Sequence, residues 1–264
     1  MNKLFFLLFL ASVCLSFNKD SKSYLLQTES DFYFPVDYEL LNEGKVQIFV
    51  GLLDNKLHGI ASNDAHSFDF YKEAKPFDLY NYWEDKGEED YYILLTKVVY
   101  VLDKEIDFFS ESLLTDLDFL QKKMPDYDLE KISSNKFHID CGFLSPSFDY
   151  DLNFYRPPFT DNRVSRIEDF VTQINPELAS PALSVIQHNH SFSKVMMHKT
   201  SKMSVCVANY YPYGDGKTLE VNYTLNYIHE LPPNFLGGHK LLLKEIKSGI
   251  IDLIVNTREV CATL

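Results

Sequence analysis

The chain has 264 residues and a formal net charge of −13, with 38 carboxylates against 25 lysines and arginines. Binding to a phosphate backbone needs clustered basic residues; here acids surround most of them, so nucleic acid is not an expected partner. A hydrophobic content of 45 % with 15 % aromatic residues excludes general disorder and supports a packed core.

Met1-Asn2-Lys3 and the apolar run 4–10 form a short positive start and a core too short to span a bilayer. Small residues follow, and Cys14-Leu15-Ser16 offers a cleavage site before Phe17. We read residues 1–16 as a signal peptide, which makes the product secreted or extracytoplasmic. Acylation at Cys14 is the alternative, although Val13 fits a lipoprotein signal poorly. No later segment is long and apolar enough for a membrane helix. The expected organisation is an extended lead-in over 17–44 and a single α+β domain over 45–264. Cys141, Cys206 and Cys261 are too few for a disulfide framework, and Cys141 and Cys206 read equally well as small buried apolar residues. Asn189-His190-Ser191 and Asn222-Tyr223-Thr224 match the glycosylation pattern, at a frequency that chance supplies in a chain with this much Asn.

Residues 45–52 read as a strand ending at Gly51, followed by a turn at Asp54-Asn55. Between 63 and 90 aromatics mix irregularly with acids, Tyr71, Tyr80 and Trp83 among Glu73, Asp78 and Glu84. Such rings anchor a solvated loop or meet a glycan. Residues 91–102, β-branched and aromatic on both faces, suit a central strand. From Ser112 the period changes: Leu113, Leu117, Leu120 and Met124 mark one helix that stops before Pro125. Strict alternation returns over 136–143, with Phe137, Ile139, Cys141 and Phe143 inward. A long loop over 144–162 contains Pro146, Pro157 and Pro158. Val164, Ile167, Val171 and Ile174 define a short helix, and a second helical piece runs over 181–187. Residues 192–197 are then expected to pair with the next hairpin, completing a three-stranded antiparallel meander.

That hairpin is the clearest pattern. Leu219, Val221, Tyr223, Leu225 and Tyr227 face one way, and Thr218, Glu220, Asn222, Thr224 and Asn226 the other, as in a half-buried strand. Tyr213-Gly214-Asp215-Gly216 turns the chain back from the apolar run 205–211. Pro232 and Pro233 end the ladder. From about His239 a helical stripe follows: Leu242, Ile246, Gly249, Ile250, Leu253 and Thr257.

The search for chemistry yields no catalytic constellation. His188 and His190 share a face on a strand, so both could reach one metal, with His198 or Glu230 beside them; no acid at fixed spacing accompanies them, and no metal or other cofactor is expected. His239 reads as a solvated residue at a helix start. No nucleophile elbow, phosphate loop, dinucleotide fingerprint or zinc-protease helix is present. Carboxylate pairs carry no information in so acidic a chain.

The last third, 192–258, resembles the end of a helix-grip domain of the lipid-transfer, START-related kind. The resemblance lies in Lys217-Thr218-Leu219-Glu220-Val221, then Leu231-Pro232-Pro233, then the helix over 241–258. An uncharacterised exported-protein family of similar layout fits the same pattern. The resemblance implies an antiparallel sheet closed by a long C-terminal helix, with a hydrophobic small molecule or lipid held between them. Tyr223, Tyr227, Ile246 and Ile250 are then the expected ligand-binding residues, and Gly237, Gly238 and Gly249 reduce bulk where such a hollow needs room. The alternative function is a secreted or surface interaction protein, with a packed core, that meets a protein or glycan through aromatic and acidic loops around 71–83.

Overall fold

The computed structural model describes residues 25–26, 35–54, 92–140, 147–157, 178–190, 201–228 and 238–264. The leader, the aromatic stretch 63–90, Cys141, the helix expected at 164–174, the strand expected at 192–197, His198, Glu230 and the double proline lie outside them.

The strands are β1 (Leu25–Leu26), β2 (Gln47–Asp54), β3 (Tyr92–Leu102), β4 (Asp128–Lys131), β5 (Lys136–Asp140), β6 (Phe148–Tyr155), β7 (Leu183–His190), β8 (Ser201–Tyr213) and β9 (Lys217–Ile228). They form one sheet in the order β1-β2-β3-β9-β8-β7-β6-β5-β4. Only the two-residue β1 is parallel to its neighbour. The helices are α1 (Tyr38–Asn42), α2 (Glu111–Leu114), α3 (Leu117–Lys123) and α4 (Gly238–Thr263). The fold is therefore the expected α+β arrangement, an antiparallel sheet with a long helix at its C-terminal end.

The hairpin between β8 and β9 turns where the glycines permit it. Gly214 and Gly216 hold φ of 37° and 76°, a region that side chains with a Cβ avoid, and Lys217 N–H donates to the Gly214 carbonyl at 2.9 Å. Every residue of β3 from Thr96 to Leu102 is buried, as a strand covered on both faces requires. Phe137 and Ile139 of β5 are buried as their alternation predicts.

Four expectations are corrected. Residues 181–187 are not helical, because β7 occupies Leu183–His190 and pairs with β8 along its length; Val185 and Ile186 are β-branched, and Pro181 stands before the strand rather than opening a helix. The third strand of the meander is thus β7, earlier in the chain than expected. Residues 148–155 are not loop: Phe148, Tyr150 and Leu152 are buried and alternate with half-buried Asp149, Asp151 and Asn153. The prolines bound this strand without interrupting it. The single helix expected from Ser112 is broken at Thr115-Asp116, where Asp116 Oδ1 accepts from the Phe119 N–H at 2.8 Å and caps α3 anew. Finally, the lead-in is not wholly extended, since Asp37 caps one helical turn, α1, by accepting from Glu39 and Leu40 N–H.

Helix α4 has 26 residues, about 39 Å at 1.5 Å per residue, and continues past the expected end at Arg258. Among its described side chains Ile250, Ile254, Thr257, Val260 and Cys261 are buried, while Ile251 and Val255 are exposed. The four buried apolar ones join a core with Val98, Tyr100 and Leu102 of β3, Tyr150 and Leu152 of β6, Leu183 and Val185 of β7, and Ala208 and Tyr210 of β8. We call the sheet face carrying these residues the inner face.

Candidate functional site

Register decides which residues of β9 look toward α4. Tyr100 pairs with Glu220, Glu220 with Tyr210, and Tyr210 with Leu183, one row across four strands. Residues directly opposite across strands share a face, so Glu220 lies on the inner face. By the period of two, Thr218, Asn222 and Thr224 lie there with it. The polar side of β9, not its apolar side, is the one under the helix. Tyr223 sits instead on the opposite face, opposite Lys97, whose Nζ lies 5.8 Å from its ring centroid. That face is buried as well: Val99, Val101, Leu219, Val221, Tyr223, Ile186 and Val207 are all in the core set. A strand covered on both sides hides which side meets the helix.

Of the expected ligand residues, Tyr223 and Ile250 therefore do not converge. Ile250 is on the inner side and Tyr223 is behind the sheet; the side chains of Tyr227 and Ile246 lie outside the described residues. What the structure assembles under α4 is a polar group that sequence reasoning passed over. Tyr100 donates its hydroxyl to Glu220 Oε2 at 2.6 Å. The Tyr210 hydroxyl and the Asn222 side chain reach the same carboxyl. Asn222 Oδ1 accepts from Cys206 Sγ at 3.2 Å and from Thr224 Oγ1 at 3.3 Å. Thr218 Oγ1 donates to the Lys104 carbonyl at 2.7 Å, pinning the start of β9 beside the end of β3.

Glu220 is 3 % exposed, and Tyr100 and Tyr210 are nearly as deep. Burial raises the Glu220 carboxyl above its ordinary range, against the pull of Lys123 on α3 and of the three hydrogen-bonding neighbours. Burial, reinforced by the nearby carboxylate, likewise drives both phenols well above their usual value. The Cys206 thiol is pushed up to about 11 by burial.

The last turns of α4 close over this group. Cys261 is close enough to be felt electrostatically by Tyr100, Tyr210 and Glu220. Arg258 lies over the Tyr100 ring at 6.0 Å and donates to the Val101 and Gly44 carbonyls at 3.2 and 3.0 Å. Farther along the inner face, Tyr150 stacks on Phe137 at 5.2 Å. Its hydroxyl is fully buried with no hydrogen-bond partner among the described residues, and burial raises its pKa strongly.

His188 and His190 both fall on β7 and share a face, as expected, opposite Asp151 and Asp149 respectively. His188 is half-buried, and the His190 side chain lies outside the described residues. Asp149 Oδ1 is instead engaged by His138 Nδ1 at 2.7 Å. Among the described residues no group of three His, Cys, Asp or Glu could hold a metal ion. Both glycosylation patterns begin on the inner face, with Asn189 buried and Asn222 half-buried.

No protein-family model matches the chain, and no curated protein matches it. Solved structures similar to it include a START superfamily protein from Mycobacterium smegmatis, 10 % identical over 64 % of this chain and 99 % of that one, with a TM-score of 0.39. A conserved protein from Geobacillus kaustophilus is 15 % identical over 62 % and 93 % of the two chains, with a TM-score of 0.37. A human lipid transfer and protein localization domain is 8 % identical over 65 % and 83 %, with a TM-score of 0.36. These are proteins to which the chain is similar; its own layout is the antiparallel sheet with a long C-terminal helix described above.

Proposed function

We propose that the chain is an exported, non-enzymatic protein that holds a hydrophobic small molecule or lipid between the inner face of its sheet and α4. The observation that carries this reading is Tyr150. Its hydroxyl is buried on the inner face and unpaired among the described residues, where a core built for packing alone is served better by Phe. Together with the Tyr100-Glu220-Tyr210 row, it gives an apolar wall a few fixed polar points, the chemistry by which a pocket orients an apolar guest. Ile250 supplies part of that wall from the helix side.

Native mass spectrometry of the purified protein tests this, followed by denaturation and extraction of what it carries. A stoichiometric adduct of lipid size, lost on denaturation, supports the reading. A bare polypeptide that also fails to bind the neutral apolar probe N-phenyl-1-naphthylamine saturably overturns it. Export is part of the proposal, and the mass of protein recovered outside the cytoplasm, beginning at Phe17, tests that part.

A further inference from the structure

Hydrogen-bond donors and acceptors do not balance on the inner face of β9. The Tyr100 hydroxyl is committed to Glu220, and the Tyr210 and Asn222 side chains reach the same carboxyl. The Cys206 thiol and Thr224 hydroxyl are committed to Asn222 Oδ1, and the Thr218 hydroxyl to a backbone carbonyl. The donors around Glu220 are thus directed at one another and at the backbone, and the Tyr150 hydroxyl, farther along the inner face, is the donor left unpaired among the described residues. The remaining capacity around Glu220 is to accept. A carboxyl keeps acceptor capacity whether or not it carries its proton, and each phenol oxygen also accepts, so Glu220 and its two tyrosines retain acceptor sites after satisfying one another. No Lys, Arg or His forms an ion pair with Glu220 among the described residues; the cation whose field it feels is Lys123.

We infer that the ligand's polar end is a hydrogen-bond donor, an alcohol or a protonated amine, which docks on Glu220 between Tyr100 and Tyr210. The inference rests on the ligand reading of the inner face given above. An anionic carboxylate or phosphate end is disfavoured at this point, because it would bury a further negative charge beside an acid with no ion-pairing cation among the described residues. Alcohol and amine share the donor chemistry, and their relative strength reports whether Glu220 meets the ligand as a neutral acid or as an anion.

The test is displacement of N-phenyl-1-naphthylamine by dodecanol, dodecylamine and dodecanoate, all below micelle-forming concentrations, from the full-length mature protein and from Glu220→Gln. Dodecanol or dodecylamine should displace the probe at concentrations about tenfold below dodecanoate, the size of one hydrogen bond to a charged or strongly polar group. In Glu220→Gln the gap should shrink to about threefold or less, because the amide replaces an acceptor by a donor of its own. Dodecanoate equal to or better than the others in the wild type would overturn the inference while leaving the ligand reading intact, the acid end then pairing with a donor such as the Tyr150 hydroxyl. An undiminished gap in Glu220→Gln would overturn it too. Displacement by none of the three would overturn the inference together with the reading beneath it. Should Glu220→Gln fail to fold, the wild-type ranking decides alone.

Discussion

Tyr100 Oη donates to Glu220 Oε2 across 2.6 Å, from one strand to the next at a directly paired register position. The bond ties β3 to β9 beneath the last turns of α4, where neither group can turn to water instead. Tyr100→Phe should therefore lower the unfolding free energy by about 1–3 kcal/mol, the range for a buried bond to a polar or charged partner. Urea denaturation with an unchanged m-value would show that loss; an unchanged midpoint would mean that the carboxyl finds another donor.

The raised Glu220 pKa sets a direction for pH dependence. The folded protein holds this proton at pH values where the unfolded chain, with an ordinary carboxyl near 4.5, has released it. Folding then binds a proton, so the contribution of Glu220 to stability is greatest below the unfolded pKa and declines as pH rises toward the folded one, levelling off above it. The stability difference between wild type and Glu220→Gln should fall in the same direction across a urea series between about pH 4 and pH 8. A difference that grows with pH would reverse the assigned shift.

Tyr150→Phe removes a buried hydroxyl that has no partner among the described residues. The ligand-free protein should be as stable as wild type or up to about 1 kcal/mol more so, since a desolvation cost disappears and no bond is lost. The same variant should retain less of its carried ligand through purification, read by native mass spectrometry. A destabilisation above about 2 kcal/mol would reveal a hydrogen bond to this hydroxyl within the protein.

Ile254 is 2 % exposed and Ile251 is 47 % exposed on the same helix. Ile254→Ala should cost about 2–5 kcal/mol through lost burial and the cavity left behind. Ile251→Ala should stay within about 0.5 kcal/mol of wild type. Equal effects in thermal or urea denaturation would place α4 in a different rotation on the sheet.

Cys206 and Cys261 are free thiols, the first with its pKa pushed up to about 11 and the second also raised, both by burial. At neutral pH neither should supply a thiolate to an alkylating reagent. Peptide mapping after iodoacetamide should find both unmodified in the native protein and both modified in urea. Rapid native labelling of Cys261 would show that the end of α4 opens readily.

Much of the framework was legible along the chain. β3, β5, β9 and α4 each carry a period or composition that matches their geometry over several residues, and the Tyr213-Gly214-Asp215-Gly216 turn demands positive φ where the structure has it. β6 was hidden by the prolines around it, although Phe148, Tyr150, Leu152 and Phe154 alternate with polar residues. β7 was hidden differently, because Ser184, Val185 and Ile186 are buried on both faces and a strand without alternation looks like a short helix.

The candidate site was less legible than the fold. Periodicity showed that Glu220 shares a side of β9 with Thr218, Asn222 and Thr224, which follows from covalent geometry and needs no partner. It also showed that α4 is amphipathic and long. Which side of β9 the helix would cover was decided only when β3 and β8 aligned Tyr100 and Tyr210 with Glu220 and α4 packed above them. A local period records which residues point together; where they point depends on what other segments bring to each face, and both faces of this strand are buried. The alternation places Glu220 on the polar side of β9 and no more; tertiary packing makes it the buried carboxyl at the centre of the site.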